Sequence, residues 1–197
     1  MPSTRRIRVS LTALTMTVAA MSARTDAALI NFIYTGTGAG TLNGVTFNAS
    51  AFTINCVTNT QSWGYELPGV ASVTHVSSSI TIAGLGTYSI TPETRTFIVE
   101  SNGTIGFGLL SYDLFDLLNG NPGLVGWDKV SSIGPVSNAT SVLTQWGSPN
   151  PAVMTSGGRL DFVTNTGAGT FEASAVPAPG VFALIGAVAA LGQRRRR

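Results

Sequence analysis

Few residues in this chain could carry chemistry. His75 is the only histidine and Cys56 the only cysteine. A Ser-His-Asp triad would have to use His75 as its base, and a thiol nucleophile at Cys56 would need the same ring. His75 lies in the segment VTHVSSS, which reads as the polar face of a strand, so the ring is expected at the surface. No glycine-framed serine on a strand-to-helix turn accompanies it. Cys56 alternates with Phe52 and Ile54, which marks a buried structural thiol. A single cysteine excludes an intramolecular disulfide framework and a cysteine-based zinc site. Gly36, Gly38 and Gly40 have the spacing of a phosphate loop, but neither a helix nor a Walker lysine follows them.

Carboxylates offer two further chemistries. A glycosidase needs a pair at a set separation, yet none of the carboxylates in the central stretch is flagged by an apolar pocket pattern. Asp113 and Asp116 stand one turn apart in a segment expected to be helical, with Asp128 in the loop beyond. With backbone carbonyls they could hold Ca²⁺; the plainer reading is solvated carboxylates beside a loop. Aromatic rings are the better lead. Trp63, Tyr65, Tyr112, Trp127 and Trp146 fall in loops or at element ends. There they could stack on sugar faces, or pack in the core or at a sheet edge. Trp63, Trp127 and Trp146 are therefore the candidate ligand contacts. No catalytic, cofactor or metal residue is assigned.

The elements that must position these residues are β-strands. Between Leu29 and Val176, Ser and Thr number 16 and 20, and Gly, Asn and Pro recur at short intervals. Alternation marks Ile30-Phe32-Tyr34, Val45-Phe47, Phe52-Ile54-Cys56, Ile80-Ile82, Phe97-Val99, Ile105-Phe107-Leu109, Leu160-Phe162 and Phe171-Ala173-Ala175. The parity changes near Ala49, which predicts a bulge or turn there. The pattern predicts an all-β body over 29–175, an antiparallel β-sandwich or jelly roll of eight to ten strands. One short helix is expected from a Ser111 cap through Tyr112, Leu114, Phe115, Leu117 and Leu118 to Gly120. TGAGT occurs at Thr37–Thr41 and again at Thr166–Thr170, which places the first and last strands near each other.

Charge separates this body from the ends. Charged residues are 10% of the 197, far below the roughly 25% usual in soluble domains. From Leu29 to Val176 the basic residues Arg95, Lys129 and Arg159 face eight carboxylates, a net of −5, so a nucleic-acid footprint is absent. The basicity sits in the two ends. Residues 1–28 combine a leader (MPSTRRIR), a short apolar run from Val9 to Met21 and small residues, in the order of a cleavable signal peptide. Residues 176–197 combine Pro177-Ala178-Pro179, the apolar run Val181–Gly192, and Arg194, Arg195, Arg196 and Arg197. Counting from Ala175 to Gln193, nineteen helical residues would cover about 28 Å, a thin membrane span. Terminal arginines stay cytoplasmic by the positive-inside rule, which puts the body across the membrane.

This tail resembles the PEP-CTERM sorting signal of Gram-negative bacteria, which joins a Pro-Glu-Pro motif, a short transmembrane helix and an arginine cluster. Ala178 stands where that family usually has Glu. The resemblance implies an exosortase-like processing enzyme as partner, membrane anchoring through the C-terminal helix, and display at the surface or in an exopolysaccharide matrix. The function expected is therefore that of an exported, non-catalytic structural protein of the envelope or matrix. A carbohydrate-binding module using the loop aromatics is the alternative, and an exported hydrolase stands third.

Overall fold

The structure is a computed structural model that describes residues 28–118, 120–144, 146, 153–165 and 167–176. It is all-β and antiparallel, and a 3₁₀ turn at Thr60–Ser62 is the one helical segment among the described residues. The long strands β1 (Leu29–Leu42) and β2 (Val45–Asn59) form a hairpin. Asn43 and Gly44 close it with φ of 48° and 82°, the two positive values a tight type I′ hairpin turn needs. Gly38 pairs Ser50 and Gly40 pairs Phe47, so one residue of β1 opposes two of β2. Ala49, with φ of 47°, is in this bulge. That is where the alternation of the sequence changes parity.

The next strands are β3 (Gly64–Leu67), β4 (Val70–Ile82), β5 (Gly86–Ser89) and β6 (Thr94–Val99). β7 (Thr104–Leu109), β8 (Tyr112–Leu117), β9 (Ile133–Asn138) and β10 (Ser141–Leu143) follow. The last are β11 (Val153–Thr155), β12 (Gly158–Asn165) and β13 (Gly169–Ala175). β4 is shared between two parts of the sheet. Val70–Thr74 pair β6, whereas residues from His75 to Ile82 pair β2. β1 is shared likewise, pairing β13 near its start and β12 near its end. The order β10-β8-β7-β6-β4-β2-β1-β12-β11 results, with β13, β9, β3 and β5 attached beside it.

This sheet rolls almost shut. On one side Ile90 bridges Thr155, Thr91 N–H donates to Met154 O at 2.9 Å, and Ser156 N–H donates to Ser89 O at 2.8 Å. On the other, Ser141 N–H donates to Gly167 O at 3.2 Å. Closure pairs the edges that a flat antiparallel sheet would leave open. The interior is aromatic: Phe32, Tyr34, Phe52, Phe107, Phe115 and Phe171 are all fully buried. Their rings meet edge-on or tilted, as at Phe52–Phe115 (5.3 Å, 82°) and Tyr34–Phe171 (5.1 Å, 56°), an arrangement the ring quadrupole favours.

Two expectations need correction. The segment read as a helix from Ser111 is strand β8. Its register slips between Phe107 and Gly108, which pair Phe115 and Asp113, leaving Leu114 as an extra residue. That bulge shifts the apolar parity, so a strand imitates helical spacing. Ala175 belongs to β13 and pairs Ile30, so it is not available to a membrane helix. The expected transmembrane helix and signal peptide otherwise lie outside the described residues. Among the described residues, no helix is long and apolar enough to cross a membrane.

Candidate functional site

His75 is not at the surface. Ala71, Val73 and His75 share the inward face of β4, and the ring is 9% exposed. It stacks on Phe107 at 5.8 Å with planes 6° apart, and meets Phe32 edge-on. Nδ1 is 2.8 Å from Thr94 Oγ1 and Nε2 is 2.8 Å from Thr96 Oγ1. The chain continues both ways. Thr94 donates to Ser78 Oγ at 2.9 Å, and Tyr34 Oη is 2.8 Å from Thr96 Oγ1 and 3.2 Å from Gly106 O. Each hydroxyl has one proton, and this fixes the tautomer. Because Thr94 gives its proton to Ser78, it must accept from Nδ1–H. Nε2 then accepts from Thr96, and Thr96 accepts from Tyr34. The relay Tyr34→Thr96→His75→Thr94→Ser78 uses every short bond and relinquishes only the longer one to Gly106 O.

The electrostatics agree with a neutral ring. Burial lowers His75 to about 3, and burial likewise pushes the Tyr34 hydroxyl well up. Ser78 ends the relay as an acceptor, beside a cleft of about 240 Å³ also lined by Glu93 and Pro92. A nucleophilic serine must instead hand its proton to histidine. The relay runs the other way, and a ring this hard to protonate is a weak base near neutrality. What the arrangement does well is cross-link β1, β4 and β6 through otherwise orphaned core polar groups. Cys56 is free and buried, as its alternation predicted, and burial raises its thiol far above the ordinary range.

A second polar cluster lies on the opposite face of β6, β7 and β8. Phe97, Gly106 and Asp116 are in register, as are Arg95, Gly108 and Asp113. A Cβ on Gly106 would stand 2.3 Å from the Phe97 ring and 2.4 Å from Asp116 Oδ1, so the glycine makes room for both. Arg95 is fully engaged. Nη1 donates to Glu66 at 2.7 and 2.9 Å, Nη2 to Asp113 at 2.9 Å, and Nε to Leu109 O at 3.0 Å. Asp116 is 6% exposed and its Oδ1 has no hydrogen-bond partner. Burial, reinforced by the Asp113 charge and opposed by Arg95, raises its carboxyl to about 7.

The Ca²⁺ arrangement is not assembled. Asp113 serves Arg95, Asp116 is buried, and Asp128 caps its own turn by accepting from Val130 and Ser131 N–H at 3.0 and 2.8 Å. Among the described residues, no three His, Cys, Asp or Glu side chains converge on a common point.

The tryptophans mostly face inward. Trp127 packs edge-on against Phe32 and Phe171, and Trp146 against Phe162 at 4.8 Å. They are 9% and 4% exposed, and Trp63 is half-buried against Phe32. Their indole N–H groups donate to Lys129 O (Trp63), Ser131 O (Trp127) and Leu160 O (Trp146). Edges of Trp127 and Trp146 line two clefts of about 460 and 440 Å³, beside the ion pairs Lys129–Glu100 and Arg159–Asp161 respectively.

No family model, curated protein or solved structure matches this chain. Its own geometry therefore carries the functional reading. Pro177, Ala178, Pro179 and Arg194 to Arg197, expected from the sequence to form a sorting signal, lie outside the described residues, but the chain just before them is described. Val176 N–H donates to Leu29 O at 2.9 Å, and Thr60 N–H donates to Ala28 O at 3.0 Å. Both ends of the body meet at one pole. The signals that sequence reasoning missed were Ala71-Val73-His75 on one strand face and the glycine opposite Asp116.

Proposed function

We propose that this chain is an exported, non-catalytic structural protein of the bacterial envelope or its exopolysaccharide matrix, sorted through its C-terminal tail. The observation that carries the reading is the Val176 N–H to Leu29 O hydrogen bond at 2.9 Å. Strands β1 and β13 lie side by side there, so a signal peptide before residue 29 and a tail after Val176 leave a closed body from one place. Either end can be cut or held in a membrane without breaking a core strand. The outward faces support the same role. They are rich in Ser and Thr and poor in charge, and the buried histidine is held as a neutral cross-link. An exosortase-like enzyme would meet the tail beside this pole. A polysaccharide partner would meet the two clefts edged by Trp127 and Trp146, not flat exposed rings.

Removing Gly180–Arg197 and fractionating the cells tests the sorting part. The expected outcome is loss of membrane retention with export intact, and retention without the tail would reject the proposal. Mass spectrometry of the mature protein should find a new N-terminus near Ala27. A full-length chain recovered uncut from the cytosol would end it.

A further inference from the structure

The pole from which the tail leaves has a composition of its own. Leu29, Tyr65, Leu67, Val125, Val130 and Val176 are each between 37% and 66% exposed. They make up most of the large apolar side chains left open on the described surface. Hydrogen bonds tie their segments together around the exit. Ala175 N–H donates to Ser132 Oγ at 3.0 Å, Trp63 Nε1–H to Lys129 O at 3.1 Å, and both Lys129 Nζ and Tyr65 Oη donate to Glu100 at 2.6 and 3.2 Å. The opposite pole, at the Asn43-Gly44, Ala83-Gly84 and Ser156-Gly157 turns, is made mainly of small and polar residues, with Val45 and Met154 as its exposed apolar side chains. An apolar collar with a half-buried Trp, a Tyr and a Lys has the composition of a surface resting at a membrane–water boundary.

We infer that this collar is a bilayer-contacting surface, with the lipid headgroup layer as its occupant. The inference rests on the anchored reading above, and chain length supplies the argument. Only Pro177 to Gly180 separate Val176 from the apolar run Val181–Gly192. The five Cα–Cα steps from Val176 to Val181 span at most about 18 Å when fully extended. The headgroup layer on each side of the hydrocarbon core is itself roughly 5–7 Å deep. With the apolar run inserted, the pole around Val176 is held within roughly 10–13 Å of the headgroups even at full extension, and a tether that relaxes towards a compact form brings it into contact. With insertion starting at Pro177, no tether remains. Exposed valines and leucines held at that height are removed from water by the membrane itself.

The test uses the full-length chain reconstituted into phosphatidylcholine–phosphatidylglycerol vesicles. An environment-sensitive fluorophore is placed at Val130→Cys in the collar or at Ala83→Cys on the far pole; the buried Cys56 stays unlabelled. Flotation is scored first, then quenching by spin-labelled lipid. In floated protein the label at position 130 shifts to the blue and loses most of its emission, while that at position 83 is unchanged. Equal responses at both positions in floated protein overturn the collar and leave anchoring intact. Failure to float overturns anchoring, and the collar with it.

Discussion

At the scale of single residues, two buried titratable groups pull against each other. His75 is neutral in the folded chain and titrates near 3, below the roughly 6.5 of an unfolded histidine. The unfolded chain thus binds more protons as pH falls below about 6.5, and stability falls with it. Asp116 titrates near 7 when folded, above the roughly 3.9 of an unfolded aspartate. There the folded chain binds more protons, and stability falls as pH rises from about 4 to 7. Between about pH 4 and 6.5 the two slopes, each about 1.4 kcal/mol per pH unit, oppose and nearly cancel. Asp116→Asn therefore uncovers a stability that climbs with pH across that window, and His75→Gln uncovers one that declines. Urea unfolding at half-unit pH steps reads both; parallel profiles for both variants and the native chain would refute the pairing. Neither group was legible beforehand. Polar neighbours in VTHVSSS hid the inward parity of His75, and the burial of Asp116 depends on a glycine one strand away.

At the scale of elements, glycine sets where strands turn and where they touch, and two positions separate those roles. Gly44 has φ of +82° with nothing within 4 Å of an added Cβ, so Gly44→Ala pays only for backbone conformation, about 1–2 kcal/mol. Gly40 sits at the β1–β12 bulge, where a Cβ would stand 2.1 Å from the Asp161 carbonyl oxygen. Gly40→Ala must push two strands apart and is expected to cost about 3 kcal/mol or more. Urea midpoints of the two variants, at equal cooperativity, check the order; Gly44→Ala as the more damaging change would refute it. The strand pattern was readable because alternation is local: Phe52, Ile54 and Cys56 face inward as predicted. The parity break at Ala49 was equally local. Strand β8 was misread because its Leu114 bulge put Tyr112, Phe115 and Leu118 at helical spacing.

At the scale of the whole molecule, closure was not legible, since the contacts that roll the sheet join residues far apart in sequence. Ile90 reaches Thr155, and Ser141 reaches Gly167. The repeated TGAGT gave one long-range hint, and β1 and β13 do pair, with Thr35 opposite Thr170. Closure has a consequence for the two ends. If the sheet is completed by residues 28–176 alone, those residues constitute a folding unit of roughly 150 residues, enough to bury about 70% of the surface of the unfolded chain. A chain trimmed to 28–176 should then melt cooperatively within a few degrees of the intact protein in detergent, followed by circular dichroism. Trimming further, to 32–176, removes Ile30 from between Ala175 and Thr58 and the Leu29 carbonyl that holds Val176. Losing the fully buried Ile30 costs on the order of 2–5 kcal/mol even before the frayed strand end is counted. The second trim should therefore lower the melting temperature well below the first. Equal melting of both fragments would mean that the shared pole contributes nothing to closure, and a first fragment without a cooperative transition would mean that the ends are part of the fold and not appended to it.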